Sequence, residues 1–239
     1  MANTEQSELT PGLYLVATPI GNARDITLRA LDMLASADVL AAEDTRTLRR
    51  LMDLHGVPLR DRPLLAYHEH NGARMRPRIL AEITAGKSVL YASEAGTPMI
   101  SDPGFDLARA VRAEGLPVTT APGVSAVVTA LTVANLPTDR FLFAGFLPNA
   151  QGARKTALRG LAGVEATLAF YESPRRVDAM LADAAAVLGD RPAAVCRELT
   201  KKFEDVRQGT LSDLAAFYAE HPPKGEIVVL IGKGDSETV

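Results

Sequence analysis

Short apolar runs recur along the chain, separated by longer stretches in which apolar positions return every three or four residues. The runs Gly12–Ala17, Val39–Ala42, Leu64–Ala66 and Ser88–Ala92 are almost free of polar interruption and read as strands, Ser88–Ala92 as a buried one, and Leu116–Thr120 makes a further strand. Helices are predicted between them. The first is capped by Asp25 and carries Ile26, Leu28, Ala30, Leu31 and Leu34; others run to about His55, from Arg78 to Ala85 and from Phe105 to Ala113. Strand alternating with helix predicts an α/β fold with a mainly parallel sheet. A nearly wholly apolar helix, Ser125 to Ala134, is expected to be buried on most sides, at the junction between two halves. The second half repeats the alternation. Its strands fall at 141–144, 167–171, 193–197 and 226–231, its helices at 154–161, 179–188 and 211–219. The segment 203–208 alternates in character and predicts an antiparallel partner, so this sheet is expected to be mixed. The expectation is two α/β domains, residues 1–120 and 121–239, with a ligand cleft between them.

In such folds ligands settle beyond the carboxyl ends of the strands, where loops converge and helix N-termini present free N–H groups. The loops predicted on that rim are Pro19–Asn22, Glu43–Arg46, His68–Asn71, Ser93–Gly104, Pro122–Ala126, Tyr171–Arg176 and Glu198–Lys202. Ser93–Gly104 is the densest in special residues. Gly96 and Gly104 allow unusual backbone angles, and Glu94, Thr97 and Ser101 add a carboxylate and hydroxyls. Asp102-Pro103-Gly104 also reads as a plain helix start. Glu43 and Asp44 can be read equally as a helix cap or as groups acting on a substrate.

Composition narrows the class. The chain has 239 residues, 47% of them hydrophobic, enough for a substantial core. The one cysteine, Cys196, excludes a disulfide framework within a monomer and reads as core, as in a cytoplasmic protein. His55, His68, His70 and His221 suggest no metal site. No apolar run is long enough for a membrane span, and the first residues lack the apolar core of a secretory signal. The net charge of −3 argues against capture of nucleic acid by bulk electrostatics. Local clusters at Arg46/Arg49/Arg50, Arg74/Arg76/Arg78, Arg154/Lys155/Arg159, Arg175/Arg176 and Lys201/Lys202 allow an RNA partner without establishing one. The dinucleotide fingerprint, the Walker loop and the serine elbow are all missing. The residues themselves point to a ligand-binding enzyme and no further.

Several motifs in order carry a resemblance: Thr18-Pro19-Ile20-Gly21-Asn22, Ala42-Glu43-Asp44-Thr45-Arg46, His68-Glu69-His70-Asn71, Ala95-Gly96-Thr97-Pro98 with Ile100-Ser101-Asp102-Pro103-Gly104, Gly145-Phe146-Leu147-Pro148, Phe170-Tyr171-Glu172-Ser173 and Arg197-Glu198-Leu199-Thr200-Lys201. From Gly12 to Ile231 the chain resembles the bacterial ribosomal RNA small subunit methyltransferase I family, of the tetrapyrrole methylase fold. The resemblance implies S-adenosylmethionine as methyl donor, folded into the cleft. It implies transfer to the ribose 2′-hydroxyl of a cytidine in the decoding region of 16S ribosomal RNA in the small ribosomal subunit, by a cytoplasmic homodimer that needs no metal. Carried over by position, Pro19, Ser93, Glu94, Ala95, Gly96, Ile100, Ser101, Ser125, Ala126, Phe170, Tyr171 and Leu199 line the donor pocket. Glu43, Asp44, Arg46, His70 and Asn71 face the nucleotide. A ribose hydroxyl is a poor nucleophile, so a base removes its proton or the site orients it in line with the methyl. Asp44 is the candidate base, with Glu43 and His70 as alternatives. Two departures stand out: Glu94 replaces the family's usual Asp, and the chain stops at Val239 where relatives commonly continue into a small helical region. The rival readings are a tetrapyrrole or corrin carbon methyltransferase on the same fold, and a nucleotide-sensing domain without turnover.

Overall fold

The computed structural model describes residues 8–100 and 104–234. These fall into two compact units that divide after Ser125.

In the first unit the elements run β1 (Gly12–Val16), α1 (Leu28–Ser36), β2 (Val39–Ala42), α2 (Thr45–Leu54), β3 (Leu64–Ala66), α3 (Gly72–Thr84), β4 (Ser88–Ala92), α4 (Gly104–Ala113) and β5 (Val118–Ala121). The strands form one sheet in the order β3-β2-β4-β1-β5, and every pairing is parallel. Strand side chains alternate between faces, so each central strand feeds two cores. Tyr14, Val16, Leu40 and Leu90 pack with Leu31 and Leu34 of α1 and Leu48 and Met52 of α2. On the opposite face Leu13, Leu15, Val39 and Val89 meet Ile79 and Ile83 of α3 and Leu107 and Val111 of α4. Unbroken apolar runs are the consequence.

In the second unit follow α5 (Ala126–Val133), β6 (Phe141–Phe146), α6 (Gln151–Leu161), β7 (Thr167–Glu172), α7 (Val177–Leu188), β8 (Pro192–Arg197), β9 (Asp205–Thr210), α8 (Leu211–Glu220) and β10 (Ile227–Ile231). The sheet order is β6-β7-β10-β8-β9. Only β6 and β7 pair in parallel; β10 runs against both β7 and β8, and β9 against β8. The mixed sheet expected from the alternating 203–208 segment is present. Cys196 lies buried in β8, and burial pushes its thiol up to about 12.

Three expectations need correction. The cap of α1 is Thr27, whose hydroxyl accepts from the Ala30 N–H at 3.1 Å; Asp25 instead ends a short 3-10 turn, Ala23–Asp25. Helix α3 begins at Gly72, before Arg78, and runs through Pro77. Proline there removes the bond to the Ala73 carbonyl, and Ala73 is exposed, so water can satisfy it. Helix α5 buries Val127, Ala130 and Leu131 but leaves Val128 and Val133 exposed, so it is not enclosed on most sides. No described helix is long and apolar enough to cross a membrane.

Candidate active site

The carboxyl ends of β1, β4 and β5 are stitched together. Thr18 and Gly96 exchange backbone hydrogen bonds of 3.0 and 2.9 Å. The Thr18 hydroxyl donates to the Ser93 carbonyl at 3.1 Å, the Ser93 hydroxyl to the Gly96 carbonyl at 2.6 Å, and the Thr97 hydroxyl to the Val124 carbonyl at 2.9 Å. Gly96 has φ +79°, in the left-handed region that favours glycine. Gly123 is needed for a different reason: a Cβ there would come within 2.7 Å of the Ala17 side chain. Gly123 is a residue that sequence reasoning did not single out. Its signal was the Pro122-Gly123 pair after an apolar run.

The hydroxyls of the loop therefore shape the rim. Glu94 and Ala95 remain exposed, and Pro19 and Ile100 are half-buried. Met99 holds φ +73° without being glycine, the kind of backbone strain that clusters at functional loops. Ser101, Asp102 and Pro103 lie outside the described residues.

At the end of β2, Asp44 is the N-cap of α2. Its Oδ1 accepts from the Arg46 N–H at 2.8 Å and from Arg46 Nε at 3.1 Å, while Oδ2 accepts from an Arg46 guanidinium nitrogen at 2.7 Å. The side-chain bonds from Arg46, then its backbone bond, lower the Asp44 carboxyl to about 2. Such a group is an ionised acceptor at neutral pH and a weak base. Asp44 in turn raises the guanidinium of Arg46, with a smaller push from Glu94, so Glu94 acts on the same cation. Asn71 is spent locally: its amide oxygen accepts from the His68 N–H at 2.9 Å and its amide nitrogen donates to the Ala66 carbonyl at 3.1 Å. That fixes the turn carrying the exposed His70. Glu43 is half-buried at the end of β2.

The second unit carries the other residues. Phe170 is buried in β7, and Tyr171 meets Phe143 and Phe146 edge-on at centroid distances of 4.8 and 5.6 Å. Burial raises the Tyr171 phenol. Glu172, next in the strand, takes both a guanidinium nitrogen and Nε of Arg176 at 2.8 Å and the Ser173 N–H at 2.6 Å, and Arg176 also donates to the Leu147 carbonyl at 3.0 Å. This pair ties the loop after β6 to the end of β7. Leu199 is buried between Glu198 and Thr200, both non-glycine residues with φ of +51° and +65°. Glu198 secures the turn by accepting from the Glu226 N–H at 2.9 Å and the Lys201 ammonium at 3.0 Å. Neither the clamp nor the strain has a compositional signal. Ala126 is half-buried at the start of α5, and Ser125 just before it ends the first unit.

A cavity of about 360 Å³ lies elsewhere, at the amino end of β2, lined by Glu8, Ala35, Asp38, Arg60 and Arg62 among others. Its polar groups are structural. Asp38 accepts from the Ser88 N–H and hydroxyl, and Arg62 donates to the carbonyls of Leu34, Ala37, Pro58 and Leu59. The rim loops, not this hollow, hold the candidate chemistry.

Parallel and mixed α/β sheets with stitched loops at the strand ends define the fold class of the tetrapyrrole methylases. The family model described as Tetrapyrrole (Corrin/Porphyrin) Methylases matches residues 12–215. The chain is 51% identical over 231 residues to the ribosomal RNA small subunit methyltransferase I of Mesorhizobium japonicum, covering 96% of this chain and 78% of that one. It is 42% identical to the protein of the same name from Halalkalibacterium halodurans, covering 95% and 77%. The chain thus belongs to the tetrapyrrole methylase family and, within it, to the ribosomal RNA small subunit methyltransferases I. Among solved structures, the methyltransferase CobJ is similar in fold, with a TM-score of 0.71 at 18% identity over 95% of this chain and 96% of that one. The uroporphyrin-III C-methyltransferase of Thermus thermophilus complexed with S-adenosylhomocysteine gives 0.63 at 21%, covering 92% and 97%.

Proposed function

We propose that this chain transfers a methyl group from S-adenosylmethionine to the ribose 2′-hydroxyl of a cytidine in 16S ribosomal RNA, on the small ribosomal subunit, as a cytoplasmic homodimer. The observation that carries the reading is the 51% identity, over nearly the whole chain, to a relative named for methylating small-subunit ribosomal RNA. A corrin or porphyrin substrate belongs to structural neighbours at 18–24% identity, which support the fold alone.

The residues present suit the donor. Hydroxyls of Thr18, Ser93 and Thr97 are committed to loop shape, and the small exposed Ala95 leaves the backbone open to close approach. Pro19, Ser93, Glu94, Ala95, Gly96, Ile100 and Ser125 are the proposed donor contacts of the first unit. When bound, the donor supplies an electrophilic methyl on a sulfonium, which calls for no metal. Asp44 then has a defined task. Its ionised carboxylate, held by Arg46, accepts a hydrogen bond from the ribose hydroxyl and orients the oxygen lone pair along the line of transfer. His70 and Glu43 face the same nucleotide and are the groups left to receive the departing proton.

Glu94 keeps the charge of the family's usual Asp but sets it one methylene further out. Because Glu94 forms no hydrogen bond or ion pair with another described residue, Glu94→Asp is expected to shift donor affinity by less than about threefold, under ~0.7 kcal/mol. Calorimetry with S-adenosylhomocysteine measures it. The reaction itself is tested with donor carrying a labelled methyl group and small-subunit particles from cells that lack the endogenous enzyme. Label in 16S ribosomal RNA, mapped to a cytidine ribose, is the expected result. Donor binding without transfer, or transfer to a porphyrinoid, would overturn it.

A further inference from the structure

The first unit starts two neighbouring helices with cations, and only at α2 does a capping carboxylate, Asp44, offset the charge. A helix N-terminus carries partial positive charge, so cations in the first turn are unfavourable. Neither α2 nor α3 has an acid in its first turn, and each has an arginine there, Arg46 and Arg74. The rows continue. Arg49 and Arg50 follow Arg46 by three and four residues, and Arg78 follows Arg74 by four, which places each set along one helix face about 5–6 Å apart. That spacing is close to the distance between successive phosphates of a nucleic acid strand.

All five side chains are exposed, Arg46 at 88%. Arg46 and Arg49 have acidic partners in Asp44 and Asp53. Arg50, Arg74 and Arg78 have no ion pair or hydrogen bond with any described residue. Helix α2 covers one face of the sheet and α3 the other, and β3, the strand between them in sequence, is the sheet's outer edge. Both helices start on the rim that carries Asp44 and His70. The arginine rows therefore flank the edge strand and lead away from the candidate active site, on a chain whose net charge is −3. Local charge that the fold does not use, and that costs helix stability, calls for an external anion.

We infer that the exposed faces of α2 and α3 are a docking surface for the phosphate backbone of the RNA flanking the methylated nucleotide. This rests on the ribosomal RNA reading above. Phosphate contacts fix register on a nucleic acid and make affinity salt-dependent. Arg50, Arg74 and Arg78 supply that positioning, while the nucleotide itself enters at Asp44.

The test compares the full chain with Arg50→Glu/Arg74→Glu/Arg78→Glu and with the milder triple Gln variant. A charge-matched control, Arg112→Glu/Arg159→Glu/Lys224→Glu, changes exposed cations elsewhere. Filter binding to small-subunit particles is measured across salt, with S-adenosylhomocysteine calorimetry and thermal melts alongside. The triple Glu variant is expected to bind particles at least about tenfold more weakly, and its slope of log affinity against log salt is expected to fall by roughly 2 to 3. The Gln variant should move the same way by less. Donor affinity and the control should match wild type, and melting should match it or rise slightly, because Arg74→Glu puts an acid in the first turn of α3. Equal affinities and slopes for wild type and both triple variants would overturn the surface while leaving the methylation reading intact. An equal loss in the control would overturn its localisation. A deficit on particles that disappears on protein-free ribosomal RNA would mean that the partner is not RNA. Wild type that neither binds nor methylates particles would instead defeat the parent reading.

Discussion

Asp44→Ala is expected to lower single-turnover methyl transfer by about a hundredfold or more while leaving donor affinity unchanged. The carboxylate does two jobs, and the variants separate them. It caps α2 through the Arg46 N–H, and it holds the Arg46 guanidinium with both oxygens. Losing the cap destabilises the start of α2, so some of the change appears in melting. Asp44→Asn retains a cap oxygen but not the charge; it is expected to restore melting and not turnover. The pH dependence follows from the same contacts. The carboxyl is depressed to about 2 from its ordinary value near 4, so its interactions are complete above pH 4 and are lost as the pH falls toward 2. Between pH 5 and 9 the rate should therefore show no limb that disappears in Asp44→Asn. An unchanged single-turnover rate in Asp44→Ala would sink the role.

Asp183→Ala is expected to destabilise the second unit by about 3–5 kcal/mol, because it strands a buried guanidinium. Asp183 on α7 accepts from Arg154 Nε at 2.8 Å and from Gln151 at 3.0 Å, with a further Arg154 nitrogen at 2.6 Å and Lys155 Nζ at 3.3 Å. The side chains of Arg154 and Asp183 are only 6% and 4% exposed. The melting transition should fall by roughly 10 °C. Replacing both partners together, Arg154→Met with Asp183→Leu, should recover most of the loss, since no buried charge is then left unpaired and Lys155, a third exposed, can turn to water. Burial raises the Asp183 carboxyl, but the bonds from Gln151, Arg154 and Lys155 outweigh it and leave it lowered. Its contribution is thus present above pH 4 and lost as the pH drops through the lowered value. A double variant no more stable than Asp183→Ala would show that the charge pair is not the cause.

Much of the first sheet was legible because its central strands are apolar on both faces, a pattern that few alternatives produce. Position within elements was less so. Asp25 and Thr27 are both good capping residues, and only the backbone path decides for Thr27. Pro77 hid the first turns of α3, since a proline reads as a boundary unless the orphaned carbonyl faces water. In the candidate site, the motif spans fall on loops at the strand ends, but the division of labour within those loops is tertiary. Asn71 and Ser93 look like ligand-binding groups in sequence, and their side chains also hold their own loops in shape. The Glu172–Arg176 clamp depends on the distant Leu147 carbonyl, and the left-handed Glu198 and Thr200 occupy angles for which sequence would lead one to expect glycine.

The stitching of Thr18, Ser93, Gly96 and Thr97 has a thermodynamic consequence. Side chains and backbone that are already fixed by internal bonds lose little conformational entropy when a ligand arrives. The ordering cost of this rim falls on folding, not on binding, so a ligand seated there pays little to order it. Thr97→Val loosens the tie to the Val124 carbonyl without touching an exposed group, and its penalty would fall on the entropy of binding.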